Sequence, residues 1–591
     1  MTRAPHGRGA ATADRRVRRM QVRIRVVFVL TAFVLSLFAA RLVQLQGVDA
    51  SAYASMATEE GTRVVELHAE RGVIRDRDGE ELASSVDGVA LTADPTMTDE
   101  NAPQIAAVLR RVVGLDYFRT VELLRTPDTR FVWLQRQVPM WQAERALGLL
   151  AREDITGVFS QRDPFRTYPA GNVAGNIVGF LNVDGSGIAG LEAVADERLR
   201  GTDGSETYMV AGSGAQIPLA PSSVDEPKQG TGLELTLDRD LQWYAQRRLQ
   251  QAVRETRADS GTAVLTHVRT GQVLSLAEWP TVDPNKPQAV AKKDRGSRAV
   301  QNVYEPGSVQ KLMTFAALLD REQVTPRTRL RVPGEMTIDG FTVGDWWEHG
   351  AIRLTATGVI SQSSNLGTIR AAKGLRGSDL ESYLRDFGLG EPTGIGLPGE
   401  SRGILAPADT WSDITRANIL FGQGLSVTAV QMAAAVNTVA NDGVYVAPTL
   451  VGGRVAADGT VTPAAEPERR RVVSRRAAKA LQRMTEAVTA EDGTAPAAAI
   501  PGYRVSGKTG TAQRVSDKGG YDPSATVVSF AGFAPADDPR FSMYIVLDNP
   551  KSGAGGGSGA GPIFRDVMGY ALQRYAVAPS GTRAPRQVTE W

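Results

Sequence analysis

Cysteine is absent from the 591-residue chain, and histidine occurs only four times. Without cysteine the chain forms no disulfide and binds no metal through thiolates, so its redox compartment cannot be read from thiol usage. The scarcity of histidine suits a catalytic site that does not need that residue. A large excess of one charge is also lacking, because the formal net charge is +2, and this gives no overall indication of nucleic-acid binding.

What is present is typical of a globular protein with an unusual N-terminus. The hydrophobic share is 42% and the charged share is 22%. The length allows two or three domains and at least one large core.

The longest apolar run lies near the N-terminus. Residues 26–40 are apolar except for one threonine and one serine, and residues 1–25 carry eight arginines against a single acidic residue. With an arginine at each end reaching back to the interface, residues 26–46 suffice to cross about 30 Å of hydrocarbon. We therefore predict a cytoplasmic basic tail at 1–25, a transmembrane helix at 26–46 and an extracytoplasmic remainder.

The alternative is a cleaved signal peptide, whose basic region and apolar stretch look similar. The small residues Ala50, Ser51 and Ala52 would suit a cleavage site but lie some distance beyond the apolar run. A retained anchor is the preferred interpretation, and a mature protein that begins near Tyr53 would contradict it.

Turn and linker signals divide the remainder of the chain into two domains. The first is expected at 47–225 and the second at 226–576, followed by a polar tail at 577–591. The polar, glycine-containing segment 221–232 is typical of a linker between them.

The predicted elements of the second domain run in the order strands, helices, strands. This order indicates an α+β fold with one antiparallel sheet flanked by helices. The glycine-rich segment 553–561 predicts a mobile loop. The predicted strands are 233–237, 262–267, 272–277, 503–506, 526–533 and 541–547, and the predicted helices of the chain include 103–114, 141–152, a helix from Asp240 and 562–575.

A serine and a lysine three residues apart begin a predicted helix after Pro306 and Gly307. Ser308 and Lys311 therefore lie on one helix face, among apolar residues that predict burial. A lysine amine becomes a base only if burial or cationic neighbours lower its pKa, and the helix N-terminus favours an oxyanion near Ser308. The pair alone is weak, because a capped structural helix has the same pattern.

A second motif, Ser363-Ser364-Asn365, lies at the start of another helix-like run. Ser363 would pass a proton to a leaving amine, and Asn365 would hold a substrate amide. Taken alone, the three residues are ordinary helix-capping chemistry.

A third motif, Lys508-Thr509-Gly510-Thr511, follows a predicted strand. If this is an edge strand, an extended peptide would bind it by backbone pairing. Gly510 would allow a close backbone approach, and the amide of Thr511 would complete an oxyanion hole. None of the three motifs calls for a metal ion or a cofactor, and we expect none.

Residues 502–509 also match the P-loop pattern. A P-loop needs a helix that opens at its lysine, whereas the residues around Lys508 favour strand and loop. Nucleotide is also scarce on the expected side of the membrane, so ATP hydrolysis is not expected.

In this order, the three motifs resemble those of the class B penicillin-binding proteins, which are peptidoglycan D,D-transpeptidases. The resemblance covers about residues 60–575, and we recognise no glycosyltransferase block before it and no repeat domain after it. Residues 411–417 and 421–428 are most similar to the cell-division type, FtsI. The other segments that carry the resemblance are Tyr304-Glu-Pro-Gly-Ser308, Ser363-Ser-Asn365 and Lys508-Thr-Gly-Thr-Ala-Gln513 for the catalytic core, and residues 71–79 and 187–192 for the pedestal, or dimerisation, domain.

The resemblance implies the chemistry of acylation. Ser308 would attack the D-Ala-D-Ala carbonyl of a stem peptide and expel D-alanine, while Lys311 takes its proton. Ser363 and Asn365 would relay that proton and position the substrate. An amine of a neighbouring strand would then resolve the acyl-enzyme, and β-lactams would stall at Ser308 because they resemble the substrate terminus.

The resemblance also implies the binding groups and the partners. Lys508, Thr509 and Thr511, with Gly510 between them, would bind the terminal carboxylate and complete the oxyanion hole with Ser308. The implied partners are stem peptides, β-lactams, an FtsW-type glycosyltransferase and other divisome proteins at the septum, with D,D-carboxypeptidase action as a possible side activity.

Three other interpretations remain open at this point. A β-lactamase shares the motifs but needs a base for deacylation, for which Glu400 is the candidate, although it lies in a predicted turn. A non-catalytic β-lactam sensor or divisome scaffold would bind drug without cross-linking. An elongation-type class B transpeptidase would have the same chemistry with a different cellular role.

Overall fold

The structure is a computed structural model that describes residues 10–49, 62–210, 217, 222–515 and 520–591. The candidate cleavage site at 50–52, with Tyr53, lies outside the described residues. The chain forms two compact units, Met1–Ala69 with Thr202–Lys228, and Glu70–Gly201 with Gln229–Trp591.

The first unit contains the N-terminal helix, Ala10–Val43, which one wider turn at Gln44–Val48 continues. Within it, Met20–Gly47 is long and apolar enough to cross a membrane. This finding fits the span predicted at 26–46. The unit also contains an antiparallel sheet, whose strands in order are Thr62–Leu67, Gly204–Met209 and Ser223–Asp225.

Residues 88–162 of the second unit form a small layered region with its own core. The helices predicted at 103–114 and 141–152 are confirmed as Ala102–Val112 and Met140–Arg152, each with one apolar face buried. They cover a three-stranded sheet in the order Val132–Pro139, Gly88–Ala93, Val158–Arg162. The remaining helices of the region are Pro95–Thr98 and Tyr117–Leu124.

A six-stranded sheet combines early strands of the chain with strands of the second predicted domain. Residues 76–79 form a turn between two of its strands, and the buried Asp76 stabilises this turn by accepting from the amides of Asp78, Glu80 and Arg239. After the strand Phe165–Thr167, the chain forms the short helices Gly175–Val178, Gly190–Val194 and Asp196–Arg200. The strand order is Val461–Pro463, Val451–Val455, Gly232–Leu235, Ile74–Arg75, Glu81–Val86, Phe165–Thr167.

The largest core surrounds a five-stranded, fully antiparallel sheet, which confirms the predicted α+β architecture. Helices Arg239–Thr256 and Gly561–Arg574 pack together through stacked rings of Tyr244 and Tyr570. The buried helix Ala429–Ala440 packs on strand Phe541–Asp548. The strand order is Val273–Trp279, Ser260–His267, Phe541–Asp548, Tyr521–Ala534, Ser506–Val515.

Two expectations for this sheet are wrong in detail. The strand predicted at 503–506 begins only at Ser506 and runs to Val515, because Tyr503 and Arg504 bond to Val577 and Glu486 instead. The segment predicted as a mobile loop contains a helical turn, Gly556–Ala560, that packs on the sheet. A Cβ on Gly556 would lie 2.3 Å from the carbonyl oxygen of Ser529, so only glycine permits this approach.

The helical middle of the chain also contains small antiparallel strand pairs. They join Arg329–Val332 with Ile352–Thr355, Glu335–Ile338 with Phe341–Gly344 in a hairpin, and Val444–Val446 with Arg469–Arg471. Its helices are Arg298–Gln301, Lys311–Asp320, Ala356–Ser361, Asn365–Ala371, Gly377–Asp386, Asp413–Phe421 and Arg475–Thr485.

Candidate active site

The three sequence motifs meet in one cleft of about 540 Å³. Ser308 lies in a tight turn, Gly307–Gln310, that leads directly into helix Lys311–Asp320. Ser363 lies between two short helices, and Thr509 and Thr511 lie on the edge strand Ser506–Val515. The cleft is lined by Gly307, Ser308, Trp346, Gln362, Ser363, Asn365, Phe421, Gln423, Thr494, Thr509, Thr511 and Gln513, among others.

The Lys311 amine lies at the centre of the motif residues. Its Nζ is 3.0 Å from the Ser308 Oγ and 2.8 Å from the Asn365 Oδ1, and it also donates to the backbone carbonyl of Ser363. The carbonyl and amide oxygens accept only. A neutral amine has two N–H groups and one lone pair, so once these two acceptors are satisfied the lone pair faces the Ser308 hydroxyl.

Burial gives this amine the electrostatics of a base. The Lys311 side chain is fully buried, and burial lowers its pKa to about 7, although the negative charge of Asp345 opposes the shift. Because an unperturbed lysine has a pKa near 10.4, the site makes a neutral amine available close to neutral pH.

Lys508 is the second fully buried amine of the site. Its Nζ donates to the Ser363 Oγ at 2.8 Å and to the Thr509 carbonyl at 3.0 Å. Burial lowers the pKa of Lys508 well below its usual value, and the nearby Lys311 lowers it further. Ser363 Oγ is also 3.4 Å from the Lys311 Nζ, so this hydroxyl bridges the two amines.

Ser363 has a left-handed backbone, with φ of +59°. This conformation costs a residue with a Cβ roughly 1–2 kcal/mol. The next residue, Ser364, caps helix Asn365–Ala371 by accepting from the Gly367 amide at 2.8 Å. The helix start therefore fixes the turn from which Ser363 and Asn365 reach the Lys311 amine.

The backbone beside Ser308 approaches the edge strand closely. Gly307 has φ of +56°, and a Cβ there would lie 2.7 Å from the Thr511 carbonyl oxygen. A Cβ on Gly510 would lie 2.2 Å from the Ser529 Oγ. Gly307 is thus required for the close approach of the Ser308 turn to Thr511, and Gly510 for the close packing of the edge strand against Ser529 of the neighbouring strand.

Sequence reasoning missed two residues behind this turn, Asp345 and His349. The Asp345 carboxylate, with a side chain that is 0% exposed, accepts from the Ser364 hydroxyl at 2.6 Å and from the Asn365 amide. His349 Nε2 lies 3.0 Å from the same carboxylate. No local pattern links Asp345 to Asn365, which follows it by 20 residues, so tertiary structure alone reveals the connection.

Two sequence features do not contribute to the cleft. Lys508 lies inside a strand, so the P-loop pattern at 502–509 lacks the helix that it needs. Glu400 accepts from the Thr393 hydroxyl and from the amides of Thr393 and Gly394, and it is not among the residues that line the cleft. Glu400 is therefore a turn residue, as its sequence context predicted.

Comparison with known proteins places this geometry in a family. Residues 261–569 match the model of the penicillin-binding protein transpeptidase domain, and residues 66–235 match that of the penicillin-binding protein dimerisation domain. The chain belongs to the class B penicillin-binding proteins. This finding confirms the resemblance that the motifs carried, and the two matched domains confirm the predicted fold class.

Several members of this family align over most of the chain. Penicillin-binding protein PbpB of Mycolicibacterium smegmatis is 36% identical, over 95% of this chain and 91% of that protein. Peptidoglycan D,D-transpeptidase FtsI of Escherichia coli K12 is 32% identical, over 88% of this chain and 86% of that protein. The crystal structure of penicillin-binding protein 3 of Mycobacterium tuberculosis with ampicillin is 34% identical, with a TM-score of 0.71 over 89% of this chain and 100% of that chain.

Proposed function

We propose that the chain is a peptidoglycan D,D-transpeptidase that cross-links stem peptides through an acyl-enzyme on Ser308. The observation that carries the proposal is the Lys311 amine, fully buried and 3.0 Å from the Ser308 hydroxyl. Relatives named as D,D-transpeptidases and a solved relative that holds ampicillin support the same reaction.

Acylation uses the lone pair of Lys311. The neutral amine takes the Ser308 proton while Oγ forms a bond to the carbonyl carbon of the penultimate D-alanine. The peptide bond to the terminal D-alanine then breaks, and its nitrogen leaves as an amine after receiving the proton. Ser363, which is bonded to both buried amines, provides the route for that proton.

The edge strand and the nearby turn hold the donor peptide. An extended peptide pairs with Ser506–Val515, whose outer side is free in the described sheet. The amides of Ser308 and Thr511 stabilise the oxyanion, and Thr509 and Thr511 bind the terminal carboxylate from the cleft wall. Lys508 is buried behind them, so it acts on the carboxylate through the groups that it orients, Ser363 and Thr509.

Cross-linking completes the cycle. A neutral amine of a second strand attacks the acyl carbon and gives up a proton to Lys311. The bond to the Ser308 Oγ then breaks, and Lys311 passes that proton to Oγ, which restores the free hydroxyl. Water in place of the amine gives D,D-carboxypeptidase action as a side reaction. β-Lactams acylate Ser308 by the same first step. Because the opened ring stays covalently attached to the acyl group, no leaving group departs from the cleft.

The cellular assignment follows from sequence patterns and relatives. The arginine-rich N-terminus supports a cytoplasmic tail at 1–25, a single span at 26–46 and extracytoplasmic domains at 47–225 and 226–576, with a tail at 577–591. The likeness to FtsI supports a septal role beside an FtsW-type glycosyltransferase and other divisome proteins.

Mass spectrometry after penicillin treatment tests the proposal. The expected result is one adduct on the peptide that contains Ser308, persistence for many minutes, and no adduct in Ser308→Ala. Cells that carry only Ser308→Ala are expected to fail in septal cross-linking. Release of drug within seconds would identify a hydrolase, and normal division with Ser308→Ala would identify a scaffold.

A further inference from the structure

Asp345 lies directly behind the residues that hold the Lys311 amine. It follows strand Phe341–Gly344, and its buried carboxylate bonds to the first turn of helix Asn365–Ala371. One oxygen accepts from the amides of Asn365 and Leu366, the latter at 3.1 Å, and the other accepts from the Ser364 hydroxyl.

These bonds hold in place the turn Ser363–Asn365, which we call the catalytic turn. Asn365 is held at both ends, because its side-chain nitrogen also donates to the Gly344 carbonyl at 3.1 Å while its Oδ1 faces the Lys311 amine. Gly344 and Asp345 therefore bond to the side chain and to the backbone of Asn365, the residue that orients the Lys311 amine.

Asp345 also carries the charge that the site otherwise lacks. Two buried amines share the Ser363 hydroxyl, and among the described residues no carboxylate lies within ion-pair distance of either. Asp345 is the negative charge whose field reaches Lys311. The titratable groups that face this arrangement in the described residues are His349, beside Asp345, and Lys508, beside Lys311.

We propose that Asp345, held by His349, is a positioning residue that both orients the Ser363–Asn365 turn and sets the charge balance of the Lys311 base. The proposal rests on the proposed acyl transfer. His349 suits the supporting role because its Nε2 lies 3.0 Å from the Asp345 carboxylate, and an N–H on that nitrogen donates to the carboxylate.

The test compares Asp345→Asn with Ser364→Ala in the full-length protein, by the rate of fluorescent penicillin labelling between pH 5.5 and 9. Asparagine removes the charge and keeps the shape, whereas alanine at 364 removes the hydroxyl that bonds to Asp345 and to the Gly367 amide and keeps the charge. We expect Asp345→Asn to label at least about tenfold more slowly at pH 8. We also expect the acidic limb of the pH–rate profile of this variant to move to lower pH by about 0.5 to 1 unit, because loss of the negative charge lowers the pKa of Lys311.

Ser364→Ala is expected to label more slowly than the wild type, but the acidic limb of its pH–rate profile should lie at the wild-type pH. Equal limbs in the two variants would reduce Asp345 to a structural residue and overturn the charge role. A wild-type rate in Asp345→Asn would overturn both parts. Failure of the wild type to label at all would contradict the proposed function instead.

His349→Gln tests the positioning role separately if Asp345→Asn does not fold. Glutamine keeps an N–H donor but lacks the rigid ring that places it, so the Asp345 carboxylate loses the fixed geometry of this hydrogen bond. Labelling at least about threefold slower at pH 8, with an unfolding temperature within a few degrees of wild type, supports the positioning role. An unchanged rate overturns it.

Discussion

The pedestal domain and the catalytic cleft both bury charged side chains, but in opposite ways. In the pedestal, the Glu192 carboxylate is 0% exposed and lies 2.7 Å from guanidinium nitrogens of both Arg71 and Arg166. In the cleft, Lys311 and Lys508 are equally buried, but their partners among the described residues are hydroxyl, carbonyl and amide oxygens.

This difference separates a charge that stabilises the fold, which we call structural, from a charge that takes part in the proposed reaction, which we call chemical. A buried carboxylate that two arginines neutralise retains its charge, and its loss leaves uncompensated charge behind. A buried amine without a paired carboxylate is cheaper to hold without its proton, so its pKa falls towards the range where it serves as a base. The segments 71–79 and 187–192, which carried the resemblance to the pedestal domain, meet in the Arg71–Glu192 pair.

The largest effect is expected from removal of the chemical charge. Lys311→Ala should slow acylation of Ser308 by penicillin about 10³-fold or more, because the hydroxyl loses its base. Time-resolved mass spectrometry of the adduct measures this rate. Lys292→Ala, which removes an exposed lysine, is the matched control and should label at the wild-type rate. Full-speed labelling of Lys311→Ala would contradict the account.

Removal of the structural charge should act on stability instead. Glu192→Ala leaves the buried Arg166 without a carboxylate partner among the described residues and leaves Arg71 with Asp196 alone, so it should destabilise the fold by about 3–5 kcal/mol, with labelling of the folded protein unchanged. Denaturant unfolding measures the loss. Glu391→Ala breaks an exposed pair with Arg402 and should cost at most about 1 kcal/mol. Equal losses in the two variants would show that burial is not the deciding factor.

Removal of the bridging hydroxyl should give an intermediate effect. Ser363→Ala should slow acylation about 10- to 100-fold, because the two amines lose their shared partner and the leaving group its proton route. Ser363→Gly removes the same hydroxyl but relieves the left-handed backbone. The two variants should label equally slowly, and recovery of the rate in Ser363→Gly would attribute the loss to backbone strain.

Local sequence predicted much of the site. Ser308 lies in the helical turn Gly307–Gln310 and Lys311 begins the helix that follows, so their proximity follows from a spacing of three residues, and their apolar neighbours predicted the burial. The long N-terminal apolar helix and the antiparallel sheet followed from composition and periodicity in the same way.

Features that depend on tertiary contacts were not predictable. Asp345 reaches the catalytic turn from a separate hairpin, and the pairing of Glu192 with Arg71 joins segments 121 residues apart. The strand predicted from Tyr503 begins later because that residue bonds to the C-terminal segment at Val577. A strand preference was overridden there by side-chain contacts that no local pattern contains.

The pH dependence of Ser308 acylation tests the central claim most directly. Lys311 must be neutral to accept the proton, so labelling should rise with pH, with a midpoint near the pKa of about 7, and should fall about tenfold for each pH unit below it. The measurement is the second-order rate of penicillin labelling in the wild-type protein from pH 5 to 9. A midpoint above pH 9, as for an ordinary lysine, or a flat profile would contradict the account.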